Sequence, residues 1–478
     1  MPKGVRVRVP PDAPDRQNRK GIRHMADMEW LEEYAAKVRK ANYIDPALYR
    51  KYGVKRGLRN DDGTGVLVGL TTIGNVHGYV MSEGERQAVP GELYYRGINV
   101  KDIVEANRKE HRFGYEEVAY LLMFGELPTA KQLSEWKKRL GAERKLSDGF
   151  KENAILRNPS IDIMNALARA VLFAMAFEST EDQEKINDLS MEKCLERAVM
   201  MIGSLPTMAA YAYQAKAHYH MGGSLMIRNP DPKKSTAENF LSLIREDGLY
   251  TELEAETLDL ALILHAEHGG GNNSSFTTHV VTSAHTDIYS SIAASILSLK
   301  GTRHGGANLR VMNQMDEIKK NVRDWKKDSH VIDYLAKIAD KKAGDGTGLI
   351  YGLGHAVYTI SDPRAKLLKR KAKELAAAKK RKAEMHLFEL IEQEGPAIVK
   401  SRHPRAEEVC ANVDLYSGFV YDMLGIPRDL YTPLFAVSRC VSWCAHRMEE
   451  LVNNGPIIRP AYKPLYRPRE YVQLKDRT

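Results

Sequence analysis

Apolar residues recur at helical spacing through most of this chain, and the runs stop at glycine or proline, a pattern that predicts an all-α protein. Tyr115–Phe124 is expected as a helix ended by Gly125 and Pro128. Glu256–His268 is nearly all apolar after Leu258 and runs into Gly269-Gly270-Gly271, and Ser275–Lys300 is a long apolar helix stopped by Gly301. Leu434–Leu451 has Thr432 as its candidate cap, Pro433 at the first helical position and Gly455-Pro456 beyond its end. Strand signals are few. Val66–Val80 and Leu93–Val100 are expected as short hairpins near the start of the fold. The longest apolar runs are Ile161–Phe177, interrupted by Asp162, Asn165 and Arg169, and Ala198–Ala215, interrupted by Gly203 and Pro206. Both fit buried helices better than a bilayer span, and no membrane association is expected.

With 478 residues the chain is too long for one ordinary core, so two or more lobes are expected. The first 24 residues are basic and proline-rich without helical period, and the helical pattern starts at Met25. Residues 1–25 therefore read as a disordered or mis-started arm; they lack the apolar core or the Arg/Ser amphipathic helix of a targeting peptide. The formal net charge of +9 admits nucleic acid, a membrane surface or a phosphorylated ligand as partner. Basic residues are spread along the chain with no aromatic-interleaved patch, so nucleic acid is not expected, and a non-catalytic basic binding protein is only a remote alternative. Arg364–Glu384 is dense in Lys, Arg and Ala; a solvated helix face outweighs a polyphosphate-binding surface there. Cys194, Cys410, Cys440 and Cys444 are too few and scattered for a disulfide framework, so a reducing compartment and a cytoplasmic location are expected. Cys440 and Cys444, with His446 nearby, read as small core residues rather than a metal site.

The candidate chemistry gathers at histidines beside glycines. His268 is expected to end an apolar helix before three glycines, His304 precedes Gly305-Gly306-Ala307-Asn308 and a new helix, and His355 follows Gly352-Leu353-Gly354. Glycine lets backbone approach a ligand closely, and a histidine at a helix N-terminus is kept neutral by the dipole. A metal on His265 and His268 is the rival reading, but no Cys or carboxylate pattern completes it, so no metal is assigned. Gly344-Asp345-Gly346-Thr347-Gly348 lacks the strand and the Lys-Ser/Thr ending of a phosphate loop. Arg439 interrupts the apolar helix Leu434–Leu451; an internal salt bridge and a bound di- or tricarboxylate are both open for it.

In order along the chain, His265-Ala-Glu-His268-Gly-Gly-Gly-Asn-Asn, Leu299-Lys-Gly-Thr-Arg-His304-Gly-Gly-Ala-Asn308, Gly352-Leu-Gly-His355-Ala-Val, Asp362-Pro-Arg364-Ala, Asn412-Val-Asp414-Leu-Tyr-Ser-Gly418, Leu434-Phe-Ala-Val-Ser-Arg439 and Ile458-Arg459-Pro460 resemble the citrate synthase family. The resemblance runs from about Leu70 to Tyr462. It implies an all-α, citrate synthase-like two-domain fold. The large domain covers 26–304 and 420–478, and a small domain is inserted as Gly305–Phe419. It implies condensation of acetyl-CoA with oxaloacetate and water to citrate and CoA through an enol(ate) and citryl-CoA, with 2-methylcitrate synthesis from propionyl-CoA as the alternative. By the same resemblance, His304, His355 and Asp414 are the catalytic residues. His268, Arg364, Arg439 and Arg459 bind oxaloacetate, with Arg459 reaching across a homodimer. Ile350, Tyr351, Gly352, Leu353, Gly354 and Asn412 contact CoA. Acetyl-CoA enters as co-substrate, and no permanently bound cofactor is expected. The chain departs from the family pattern at Cys410-Ala411, at Thr302-Arg303 and at Ala356, none of which is a catalytic position.

Overall fold

The structure is a computed structural model that describes residues 25–60, 63–82, 85–402 and 408–477. Residues 1–24 of the expected arm lie outside the described residues. The chain divides into two compact units, Met1–Leu67 and Val68–Thr478. In the first, a helix Met25–Asn42 and a short helix Ala47–Lys51 are followed by a single 3-10 turn, Arg56–Leu58. The second unit is helical apart from one small sheet and contains every residue discussed below.

Where helix ends are set by local chemistry, they fall as expected. Tyr115–Phe124 is one helix, and Gly125 closes it at a left-handed φ of 84° with its N–H on the Leu121 carbonyl. Ile163–Ala174 and the 31-residue helix Met191–Met221 account for the two longest apolar runs. No helix among the described residues is long and apolar enough to cross a membrane.

Three expectations fail at their ends. The run Ser275–Lys300 is two helices, Asn273–Thr282 and Ile288–Lys300. His285 takes a positive φ of 59°, which no helix tolerates, and Asp287 caps the second helix by accepting from Ser290 N–H. The helix before His268 runs Glu252–His265, from a capping box between Thr251 and Glu254, so His268 lies beyond its end. The last long helix is Tyr431–Asn453. Thr432 is inside it and does not cap it; its hydroxyl donates to the Gly305 carbonyl at 2.9 Å. Pro433 sits in the first turn, where its missing N–H is harmless.

This last helix is buried almost all round from Tyr431 to Arg447 and forms the axis of the core. Cys440, Cys444 and Trp443 are fully buried in it, as small and large core residues, and each buried apolar side chain of Leu or Trp size contributes about 1.5–3 kcal/mol. Arg447 is also buried, and neutral oxygens accept from its two terminal nitrogens: Ser291 Oγ at 2.9 Å and the Thr286 carbonyl at 2.7 Å.

The sheet is antiparallel, with strands Gly74–Ser82, Glu85–Tyr95 and Ile98–Asn99. The expected strand Val66–Val80 starts late, and most of the second strand was missed. Pro90 and Gly91 hide its alternation. Their neighbourhood explains the glycine. Gly91 N–H donates to the Ser361 carbonyl at 3.1 Å, and a Cβ on Gly91 would stand 2.1 Å from that oxygen. A Cβ on Gly78 would stand 2.7 Å from the Val357 carbonyl. The hairpin is thus a platform for the 357–361 loop.

The lysine-rich helix Pro363–Ala378 resolves differently from a free basic face. Lys371 meets Glu256 at 2.7 Å, Lys373 meets Glu389 at 2.5 Å, and Lys369 and Arg370 pair with Glu392 and Glu105. Its charges bind neighbouring helices, which leaves little of them for a polyphosphate.

Candidate active site

His268 and His355 meet although they are 87 residues apart: their Nε2 atoms lie 3.0 Å from each other. His355 Nδ1 accepts the backbone N–H groups of both Val357 and Tyr358, each at 3.1 Å. A nitrogen that accepts carries no proton, so a neutral His355 has its proton on Nε2, which lies 3.0 Å from His268 Nε2 and 3.5 Å from Arg364 Nη2. The Tyr358 ring stacks on His355 at 4.7 Å, and its hydroxyl donates to the Glu92 carbonyl at 3.2 Å. The imidazole is therefore fixed in tautomer and angle by the loop that rests on the hairpin. Gly91→Ala should push that loop off its platform. A displacement of about 1 Å is worth about 10²-fold in rate, so kcat/KM should fall by that order while circular dichroism stays native.

Arg364 and Asp362 form a buried ion pair. Arg364 Nη2 lies 2.8 Å from Oδ2 and Nε lies 3.1 Å from Oδ1. Asp362 also accepts the N–H of Arg364 and, at 3.1 Å, that of Val413, so it caps the helix Pro363–Ala378 and ties it to the start of the helix Val413–Met423. Arg439 is buried without such a partner. Its Nε donates to the His265 carbonyl at 3.1 Å, and no carboxylate lies within 4 Å of it among the described residues. Burial pushes its pKa down to about 10, with nearby Glu267 opposing. Glu267 is turned elsewhere, onto His446 and the Gly269 N–H. Of the two readings open for Arg439, the internal salt bridge is not made, and the guanidinium is left able to take an anion.

Asp414 is the second residue of the helix Val413–Met423, whose cap Asn412 accepts the Asp414 N–H at 3.0 Å. Burial raises the Asp414 pKa to about 6, against the pull of Arg364 and Arg439. The buried Tyr421 hydroxyl, whose pKa Asp414 helps to raise, has no hydrogen-bond partner among the described residues. Asn412 is also zipped to the glycine segment. Its N–H donates to the Gly352 carbonyl at 2.9 Å and its side chain to the Gly354 carbonyl at 2.8 Å. Gly352 has φ 88° and lies so close to Leu415 that a Cβ would stand 2.8 Å from it. Ile350 is buried beneath this segment, Tyr351 reaches Asp345 at 2.6 Å, and Leu353 bridges Ala411.

His304 lies in the turn before the helix Ala307–Asn321. Its pKa is pushed down to about 4, first by burial and then by the positive charge of Arg439. The neutral imidazole is as expected, with desolvation as its leading cause. Its buried Nε2 has no hydrogen-bond partner among the described residues. Burial, together with Arg364, His355 and Arg439, likewise drives the His268 pKa well below its usual value. The charge of Arg439 is thus felt at His268, His304 and Asp414. His265 stacks on Phe435 at 3.7 Å and does not join His268 as a ligand pair. Arg459 is exposed, and no contact brings it to this cluster among the described residues.

A family model for the citrate synthase C-terminal domain matches residues 62–461. The chain belongs to the citrate synthase family. It is 34% identical over 374 residues to citrate synthase of Haloferax volcanii, covering 77% of this chain and 88% of that one. It is 32% identical over 397 residues to 2-methylcitrate synthase 1 of Corynebacterium glutamicum, covering 81% and 92%. The fold matches a ternary complex of carboxymethyl coenzyme A and oxaloacetate with citrate synthase from Thermoplasma acidophilum. That match has a TM-score of 0.71 and 27% identity, and it covers 88% and 99% of the two chains. As a citrate synthase family member the chain is an all-α enzyme that condenses acetyl-CoA with oxaloacetate, and a non-catalytic basic binding protein is set aside. The residues that sequence reading passed over are those that hold the named ones: Asp362 on Arg364, Tyr358 under His355 and Gly91 beneath both. Only the Asp-Pro cap of the Pro363–Ala378 helix carried a local signal for any of them.

Proposed function

We propose that Asp414 is the base of the condensation, with His304 and His355 as its two neutral hydrogen-bond donors. Asp414 takes a proton from the thioester methyl group, and His304 donates from Nε2 to the thioester oxygen as it gains charge. The new carbon nucleophile attacks the oxaloacetate ketone, to which His355 donates from Nε2. Citryl-CoA forms, and water then splits the thioester into citrate and the free CoA thiol. Arg364, Arg439, His268 and Arg459 hold the two carboxylates of oxaloacetate. The observation that carries this reading is the unpaired, buried guanidinium of Arg439, whose charge acts on a buried carboxylate with its pKa raised to about 6 and on a buried imidazole kept neutral.

Ile350–Gly354 and Asn412 would meet CoA, because their backbone is held open by glycines and zipped beside Asp414. Residues 305–419 would form a small lobe closing on the rest and excluding water. The enzyme would work in a reducing compartment such as the cytoplasm, where its four buried, unpaired cysteines stay thiols. Such a condensation fits the tricarboxylic acid cycle. The testing assay is thiol release from acetyl-CoA. Release should require oxaloacetate, and kcat/KM should favour acetyl-CoA over propionyl-CoA; release independent of oxaloacetate would refute the assignment.

A homodimer is proposed as the catalytic unit. The tail after Asn453 is extended and exposes Tyr462, Tyr466 and Tyr471, an apolar surface suited to a second copy. Arg459 on that tail would complete the partner's anion site. Arg459→Ala should raise KM for oxaloacetate. Mixed dimers of Arg459→Ala with Asp414→Asn should regain up to one working site per dimer, measured as activity above that of either parent. Absence of such rescue would place Arg459 in its own subunit or outside the site.

A further inference from the structure

Behind the His268 loop lies a cluster that the condensation does not use. His279, on the helix Asn273–Thr282, and His446, on the helix Tyr431–Asn453, face each other with Nε2 and Nδ1 3.1 Å apart. Each imidazole has its other nitrogen on a carboxylate: His279 Nδ1 lies 2.8 Å from Glu450 Oε2, and His446 Nε2 lies 3.1 Å from Glu267 Oε2. Glu449 points one oxygen, Oε2, to within 3.9 Å of His446 Nδ1. That oxygen is buried and has no hydrogen-bond partner among the described residues, while its Oε1 accepts Thr72 N–H at 2.7 Å and the Thr72 hydroxyl at 2.8 Å.

Two neutral imidazoles leave one link of this cluster to be filled. The chain Glu450–His279–His446–Glu267 has three links, and each needs one hydrogen. Two neutral imidazoles supply two. Once each donates outward to its carboxylate, His279 Nε2 and His446 Nδ1 turn bare lone pairs on each other at hydrogen-bond distance. His446 and Glu267 are wholly buried, so water does not relieve this at low cost. A shared proton would bridge the two nitrogens, yet it would leave Glu449 Oε2 unsatisfied.

The geometry points to a divalent transition-metal site, with zinc as the fitting ion, bound by His279 Nε2, His446 Nδ1 and Glu449 Oε2. These three atoms lie within 4.8 Å of one another. Metal–ligand bonds of about 2.0–2.2 Å set neighbouring ligands of a tetrahedral ion roughly 3.3 Å apart, close to the spacing of the two nitrogens. Glu450 and Glu267 then serve as the outer carboxylates that fix each histidine's tautomer and raise its basicity. The ion would also offset part of the negative charge that Glu267, Glu449 and Glu450 concentrate here. Gly270 closes the roof: a Cβ on it would stand 3.5 Å from His279 Nε2 and from His446 Cε1. The ion would sit beside Gly270 of the loop that carries His268, and it would join the helices Asn273–Thr282 and Tyr431–Asn453, the second of which holds Thr72 through Glu449. Sequence spacing hides the site, because its two histidines are 167 residues apart.

The test uses the full-length enzyme, stripped with a chelator and dialysed against cobalt(II) or zinc chloride. One metal per chain is expected, with visible d–d absorption for cobalt and a zinc-dependent rise in Tm of several degrees. His279→Ala should lose the bound metal, the absorption and the zinc-dependent rise. Glu449→Gln, which keeps shape, provides a second variant should His279→Ala not fold, and it should lose the same signals. Glu450→Gln should weaken metal affinity by about 10–100-fold. Stripped enzyme that takes up less than about one-tenth equivalent of either ion would overturn the proposal in favour of a trapped proton. Equal metal content in the native enzyme and both ligand variants would overturn it in favour of adventitious binding elsewhere.

Discussion

Asp414→Asn should lower kcat by about 10²–10⁴-fold, keep oxaloacetate binding and raise the Tm of the ligand-free enzyme. The two directions have one cause. The Asp414 carboxyl has its pKa raised to about 6 because burial disfavours the ionised form. Its folded pKa lies above its unfolded one, so the folded state binds more protons between them, and stability falls as pH climbs from about 4 to about 6. At pH 7 the full penalty stands, on the order of 2–3 kcal/mol. The amide of Asn is neutral and escapes it, but it cannot accept the methyl proton. The same value sets the acid limb of the native pH profile: kcat/KM should fall tenfold per unit below about pH 6 and level off above it. The neutral state of His304, with a pKa of about 4, adds no limb in that range. Near-normal turnover in Asp414→Asn, or an acid limb unchanged in its position by that substitution, would take the base role from this residue.

Arg439→Met and Arg364→Met should both abolish tight oxaloacetate binding, with opposite effects on stability. Two charge-assisted hydrogen bonds to a carboxylate, at about 1.5–3 kcal/mol each, correspond to a rise in KM of about 10²–10⁴-fold. Arg439 stands buried with no ion-pair partner, and its pKa of about 10 reports the strain of holding that charge without an anion. Methionine fills similar space without charge. Its Tm without ligand should equal or exceed the native value, after loss of the single hydrogen bond to the His265 carbonyl. Arg364→Met strands the fully buried Asp362 carboxylate and should cost about 3–5 kcal/mol. Thermal melts of both variants with no substrate present give the comparison. A stabilised Arg364→Met, or a strongly destabilised Arg439→Met, would reverse the assignment of which arginine is internally paired.

How far the site could be read depends on the distance over which each feature is determined. Caps and glycine stops act within a few residues, so Tyr115–Phe124 was legible to the residue. The break at His285 was not, because an apolar run on both sides outweighed the one Asx cap at Asp287. The second strand escaped because Gly91 answers to Ser361, far along the chain, and not to its own neighbours.

By itself the sequence determined the helical class, the histidine–glycine motifs in their order and the family to which they belong, because periodicity and short motifs are local properties of a chain. Tertiary structure alone decided which charges are paired. Arg364 is neutralised two residues away by Asp362. Arg439 is left open because its buried neighbour Glu267 is claimed by His446. The same turn of Glu267 leaves His446 facing His279 at 3.1 Å. Such choices rest on desolvation and on partners brought from distant helices, and neither is written in the spacing of residues along a strand of sequence.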